Sequence, residues 1–189
     1  MKEWIRDILI AVAVAVIIMQ FIKPTIVKEH SMEPTLYENN YIFLSKQQYR
    51  FSDVKQGQIV VFRSDMETEN GEEKLLIKRI IGVPGDRLAI SDGNVYLNGE
   101  PFAEDYTKEA FTTGHVEEME IPEGKVFVMG DNRQNSLDSR DGRVGLVNVD
   151  QIMGMAFFRV FPFSQFGLLL PDGADAQRSE VAESTDPAP

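Results

Sequence analysis

Apolar positions fall into two regimes along this chain. Near the N-terminus they are continuous: Ile8 to Ile22 reads ILIAVAVAVIIMQFI, with Gln20 the one polar residue. Counted from Trp4 the run is 19 residues, roughly 28 Å of helix at ~1.5 Å per residue, which matches a hydrocarbon core of about 30 Å. Lys2, Glu3, Arg6 and Asp7 precede it and Lys23 follows. A cleaved signal peptide also has a basic start and a short apolar run. Here, however, no small-x-small pattern follows, and the chain leaves the run as Gln-Phe-Ile-Lys-Pro-Thr-Ile. The reading is an uncleaved transmembrane anchor over 8–22. Lys2 and Arg6 lean toward a cytoplasmic N-terminus, 1–7, and an external body.

Beyond the anchor the runs become short. Tyr41–Ser45, Gln58–Arg63, Leu75–Ile81, Arg87–Ser91, Asn94–Leu97, Lys125–Met129 and Met153–Val160 are rich in β-branched and aromatic residues. Clusters of Gly, Pro, Asn and Asp separate them, which predicts strands joined by turns. Asp92-Gly93, then Val-Tyr-Leu, then Asn98-Gly99 predicts two tight turns around one strand. A short helix is expected at Glu33–Tyr37 or near Val147–Ile152. The expected body is mainly β and antiparallel, over 23–170, with 89–124 a candidate β-ribbon insertion.

Composition narrows the function. Thirty acids against 19 bases give a net charge of −11, which argues against a nucleic-acid surface. Part of that acidity is local. From Pro171 onward there are five acids, one base and almost no large apolar residue, so 171–189 reads as a disordered acidic tail that solubilises. The chain has no cysteine and two histidines, which excludes disulfides, thiolate sites and a three-histidine metal centre.

Three segments hold the candidate chemistry. In Glu29-His30-Ser31-Met32-Glu33-Pro34-Thr35-Leu36, a serine just past the anchor stands in a tight local conformation. In Lys78-Arg79-Ile80-Ile81-Gly82-Val83-Pro84-Gly85-Asp86, a lysine sits within an apolar strand. Gly130 to Arg140, GDNRQNSLDSR, is a dense polar loop leaving the apolar strand VFVM. A serine hydroxyl needs a base to take its proton. His30 is adjacent in sequence and points elsewhere in an extended chain. A neutral lysine can do the work, as Ser-Lys variants of the triad do. Bringing a lysine from near 10.4 to about 8 requires roughly 3 kcal/mol of preferential destabilisation of the ammonium, and apolar burial can supply it.

Together, Ser31-Met-x-Pro-Thr-Leu, Lys78-Arg-Ile-Ile-Gly-x-Pro-Gly-Asp and Gly130-Asp-Asn-Arg-x-Asn-Ser-x-Asp-Ser-Arg resemble, in order, the signature boxes of bacterial type I signal peptidases. The resemblance runs from the anchor to about Phe166. It implies a β-rich serine endopeptidase on the outer face of the cytoplasmic membrane, cleaving signal peptides from exported preproteins after small residues. Ser31 matches the family nucleophile and Lys78 the general base. Ser136 matches the serine whose hydroxyl orients that lysine. Asp138 and Arg140 match a charged pair that shapes the site, and Asp131 matches the partner of Arg79. No metal or organic cofactor is implied, and a monomer is expected. One position departs: some members carry a hydroxyl residue two places before the nucleophile, as an oxyanion donor, where this chain has Glu29. A carboxylate cannot donate, which leaves the Ser31 backbone N–H as the assigned donor.

Ser31 lies nine residues past Ile22, so the site is expected near the membrane surface, where a preprotein's cleavage site also lies. Val27, Met32, Leu36 and Ile77 flank the two catalytic candidates and are expected to line shallow pockets for small residues. The run Ala156 to Leu170 is too short and too interrupted for a second span. It reads either as a core strand or as a strand whose end, with Phe163 and Phe166, rests in the lipid interface. Two other functions fit less well. An autocleaving Ser-Lys repressor would carry a DNA-binding head, which is missing. A catalytically impaired anchored β domain that binds exported polypeptides is kept open by Glu29.

Overall fold

The computed structural model describes residues 2–46, 54–169 and 171. The acidic segment expected to be disordered lies outside the described residues except for Pro171. The first element is a helix, α1 (Lys2–Phe21). Its Trp4–Phe21 stretch is long and apolar enough to cross a membrane, and none of it is buried against the rest of the chain. An uncovered apolar cylinder of this kind needs lipid or a partner.

The strands are β1 (Ile22–Ile26), β2 (Tyr41–Ser45), β3 (Ile59–Glu67), β4 (Glu73–Gly82), β5 (Arg87–Ser91), β6 (Asn94–Leu97), β7 (Glu100–Pro101), β8 (Val116–Glu120), β9 (Lys125–Met129), β10 (Val147–Asn148), β11 (Ile152–Phe161) and β12 (Gly167–Leu168). They form two antiparallel sheets. The larger has the order β1-β2-β11-β3-β4-β9-β10, with β12 paired to β11, and the smaller has the order β7-β6-β5-β8.

Strand periodicity explains why the central strands read as unbroken apolar runs: successive side chains face opposite sides, and here both sides are covered. In β3, Ile59 and Val61 enter one core with Val27, Met32, Leu36 and Ala156, while Val60 and Phe62 enter another with Leu76, Ile80 and Val128. In β9, Val126 and Val128 join that second core, whereas Phe127 and Met129 join a third beneath the smaller sheet. The hairpin turns fall where glycine and asparagine allow a left-handed backbone: Asp92-Gly93 has φ of 50° and 82°, and Asn98-Gly99 has φ of 54° and 86°, the pattern that matches strand twist.

The structure differs from the sequence expectations at the edges. β1 overlaps the end of the expected anchor, so the helix stops one residue short of Ile22. Pro24 lacks an N–H, and β1 tolerates it because it is an edge strand. β8 (VEEME) has only Val116 and Met119 partly buried, and its glutamates are exposed. The helix expected at Glu33–Tyr37 is a single turn, closed by Leu36 N–H to the Met32 carbonyl at 2.8 Å, because Pro34 interrupts it. Near Val147–Ile152 only a three-residue 3-10 turn forms, at Val149–Gln151.

Since the apolar stretch of α1 is not buried against the body and touches it only at its end, where Lys46 donates to the Met19 and Phe21 carbonyls, deleting residues 1–21 is expected to leave a cooperative β fold. Far-UV circular dichroism melting of the shortened chain in detergent checks this, and loss of the cooperative transition would contradict it.

Candidate active site

Ser31 sits where the chain turns away from β1. The turn is pinned from both sides. Val27 N–H donates to the Asn40 carbonyl (2.9 Å) and Asn39 N–H donates back to Val27 (2.8 Å). Met32 and Leu36, one turn apart, are wholly buried and hold the turn to the core. From the opposite side the polar loop after β9 grips the same backbone. Asn132 N–H donates to the Ser31 carbonyl (3.0 Å), and its side-chain amide donates to the His30 carbonyl (3.1 Å). Gly130 makes this approach possible: a Cβ there would collide with the Ser31 carbonyl and with Ser136.

β4 delivers the lysine. Lys78 is fully buried, and its Nζ donates to Ser31 Oγ at 2.7 Å and to the Ile77 carbonyl at 3.0 Å. Burial lowers its pKa to about 8, against the charges of Glu29, Asp138 and Asp131, which raise it, and with that of Lys74, which lowers it. A group with that pKa shuttles protons near neutral pH with little driving-force penalty.

Charged pairs brace the two residues. Arg79, also fully buried, grips Asp131 with two hydrogen bonds, of 2.9 Å and 2.7 Å. Thr35 Oγ1 donates to the same carboxylate (2.5 Å), and the Tyr106 ring lies 3.9 Å from the Arg79 guanidinium carbon. Asp138 accepts from Arg140 Nε at 2.8 Å and Nη2 at 2.9 Å, and from Gly130 N–H at 3.0 Å. Burial pushes the Asp138 carboxyl up, but the Arg140 hydrogen bonds and charge, with Ser136 and the Gly130 amide, outweigh it and hold it below the usual range.

Several expected residues take other places. The Ser136 hydroxyl, expected to orient Lys78, donates to Asp138 Oδ2 at 2.6 Å, an anionic carboxylate and a strong acceptor. Met32 and Leu36 face the core below the turn, whereas Val27 and Ile77 line an open groove of about 730 Å³ beside it. Glu29 pairs with Lys74 at 3.0 Å. His30 is solvent-exposed, and its Nδ1 lies 2.8 Å from Glu33, so its ring is engaged away from Ser31.

Four contributors were not singled out from the sequence. Asn132 stood inside the polar loop, between Asp131 and Arg133, and that placement was its one signal. Thr35 belonged to the serine segment. Glu104, ion-paired with the buried Arg133, and Tyr106 come from the loop after β7, far along the chain, with nothing local to mark them.

A serine hydroxyl held against a buried lysine, beside a groove in an antiparallel β body, is an arrangement suited to serine hydrolase chemistry. Comparison with known proteins makes the class specific. The family model for signal peptidases, peptidase S26, matches residues 1–161. A Signal peptidase I of Bacillus amyloliquefaciens is 40% identical over 173 residues, covering 86% of this chain and 89% of that one. Signal peptidase I T of Bacillus subtilis (strain 168) is 39% identical over 175 residues, covering 86% of each chain. A probable signal peptidase I-2 of Synechocystis is 36% identical over 181 residues, covering 94% of this chain and 80% of that one. A crystal structure of a signal peptidase I from Enterococcus faecalis V583 matches with a TM-score of 0.44 at 28% identity, covering 55% of this chain and 97% of that one. The chain therefore belongs to the signal peptidase family, peptidase S26: it is a serine peptidase of the signal-peptide-processing class.

Burying Lys78 has a thermodynamic signature. Its pKa falls from 10.5 to about 8 on folding, so between about pH 8 and 10.5 the unfolded chain holds the proton that the folded one has lost. Stability therefore rises as pH climbs from about 8 to 10.5. Lys78→Met should be more stable than the parent at pH 7 by up to about 3 kcal/mol, with the gap closing toward pH 10. Paired urea titrations at the two pH values check this; a gap independent of pH would contradict it.

Proposed function

We propose that this chain is a membrane-anchored endopeptidase that removes N-terminal signal peptides from exported preproteins by acyl-enzyme chemistry on a Ser31–Lys78 dyad. The observation that carries the reading is the 2.7 Å hydrogen bond between the buried Lys78 Nζ and Ser31 Oγ, at one end of an open groove.

Neutral Lys78 accepts the Ser31 proton as Oγ attacks the scissile carbonyl. The Ser31 backbone N–H faces the developing oxyanion. The Lys78 ammonium then protonates the leaving amine, and the signal peptide stays as an ester on Ser31. Lys78, neutral again, activates the water that releases it. Asp131–Arg79 and Asp138–Arg140 hold the segments that carry the dyad, and Ser136 acts through Asp138. Val27 and Ile77 form the apolar surface on which small substrate side chains rest.

In this reading residues 1–7 lie in the cytoplasm of a bacterium, 8–22 cross its membrane and 23–170, with the ribbon 89–124, form a monomeric catalytic body on the outer face. The turn-end of β11 contacts the lipid interface. Phe163, Phe166 and Leu168 are strongly exposed, and Phe161 stacks edge-on with both Tyr41 and Phe163. Aromatics favour the headgroup level. The alternative, a catalytically impaired anchored domain that binds exported polypeptides, draws on Glu29 facing the oxyanion; in the free protein that carboxylate pairs with Lys74.

The test is release of the mature N-terminus from a purified preprotein in detergent. The parent is expected to cleave, with kcat/KM rising through an apparent pKa of about 8 as Lys78 loses its proton. Ser31→Ala and Lys78→Met are expected to fold and to lose at least about a thousandfold in rate, by analogy with other nucleophile–base pairs. A fully active Lys78→Met would reject the dyad. Separately, replacing Phe163 and Phe166 by Ser in a chain lacking 1–21 should weaken vesicle co-sedimentation; unchanged binding would reject the interfacial contact.

A further inference from the structure

The groove has two walls. One is the chain from Lys23 to Glu29, which leads to Ser31; the other is the segment from Glu72 to Ile77, which leads to Lys78. Tyr41, Val61 and Thr68 also line it. A peptide lying between these walls would run toward Ser31, two residues past Glu29 in the lining.

One ion pair spans the gap. Lys74 Nζ lies 3.0 Å from Glu29 Oε1, with the two side chains 37% and 41% exposed. The pair joins one wall to the other, two residues before Ser31 on one side and four before Lys78 on the other. The acid next to Lys74 does not compete for it: Glu73 pairs with Arg63 at 3.4 Å. Half-exposed pairs of this kind are weak, screened by the surrounding water. A bound peptide can therefore break the bridge at small cost, and each freed charge then faces the substrate.

We propose that the Glu29–Lys74 pair is a charge-reading gate across the peptide groove: it parts to admit the substrate, and the two freed groups then select the charge of the substrate side chain lying between them. This rests on the endopeptidase reading above. Small-residue pockets would set where the chain is cut, and the gate would set which flanking charges are accepted. Glu29 is well placed to matter to the chemistry too. Of the charges acting on Lys78, its carboxylate is the largest, ahead of Asp138, with Lys74 opposing and Asp131 weaker.

The experiment uses the full chain in detergent and a set of signal-peptide substrates that differ only in Asp, Gln or Lys at residues flanking the cleavage site. The parent, Glu29→Gln and Lys74→Gln are compared, with Ser31→Ala as the blank and circular dichroism as the folding check. In E29Q the unpaired Lys74 should raise the Asp-to-Lys ratio of kcat/KM about two- to fivefold, and in K74Q the unpaired Glu29 should lower it by a similar factor. The acid limb of the pH profile supplies a second readout that lost packing would not move in this way: it should shift down in E29Q and up in K74Q. Unchanged ratios, or limbs that move in the same direction, would overturn the gate. A parent that cleaves none of the substrates would overturn the peptidase reading and the gate with it, so the two failures are distinct.

Discussion

Everything at this site depends on a lysine buried without an acid. Among the described residues three large cations lie in the interior, Lys78, Arg79 and Arg133, each almost fully removed from solvent. Arg79 is held by Asp131 and Arg133 by Glu104, so both keep their charge at a tolerable desolvation cost. Lys78 is different: its hydrogen bonds go to a hydroxyl and a backbone carbonyl. With no carboxylate in that set, desolvation prevails and the ammonium becomes easy to deprotonate. The same sheet thus carries two adjacent basic residues with opposite fates, decided by what each one touches.

The surrounding pairs can be understood as the framework that permits this. Asp131 and Asp138 close enough to salt-bridge Lys78 would restore its charge. Instead their oxygens are occupied by Arg79, Thr35, Arg140, Ser136 and a backbone amide, and they act on Lys78 only through space. Glu29 is drawn aside by Lys74 in the same manner.

Much of this fold was legible in the sequence because buried strands announce themselves. IVVF in β3, LLIKRII in β4 and KVFVM in β9 are apolar on both faces, and the Asp-Gly and Asn-Gly turns mark the β5–β6 and β6–β7 hairpins of the smaller sheet. The edges were harder to see. β1 carries Lys23 and Pro24 and merges with the apolar helix before it, and β8 is mostly glutamate. Edge strands need only one face and one partner, so their patterns are faint. The site divides similarly. Ser31, Lys78 and the polar loop stood out as motifs, and the structure brings them together. Asn132's grip on two carbonyls, the Ser136–Asp138 bond, the Glu29–Lys74 bridge and the Tyr106 and Glu104 contacts are products of tertiary placement. No local pattern specifies which of several acids a given cation will meet.

The most direct test of the account is the proton affinity of Lys78 itself. Lysine side chains can be labelled with 13C at Cε, and the Lys78 signal assigned by its loss in Lys78→Met, in the full chain held in detergent micelles. The account predicts a titration midpoint of about 8. A midpoint near 10.4, the ordinary lysine value, would mean that Lys78 is charged near neutral pH and would contradict its proposed role as the base.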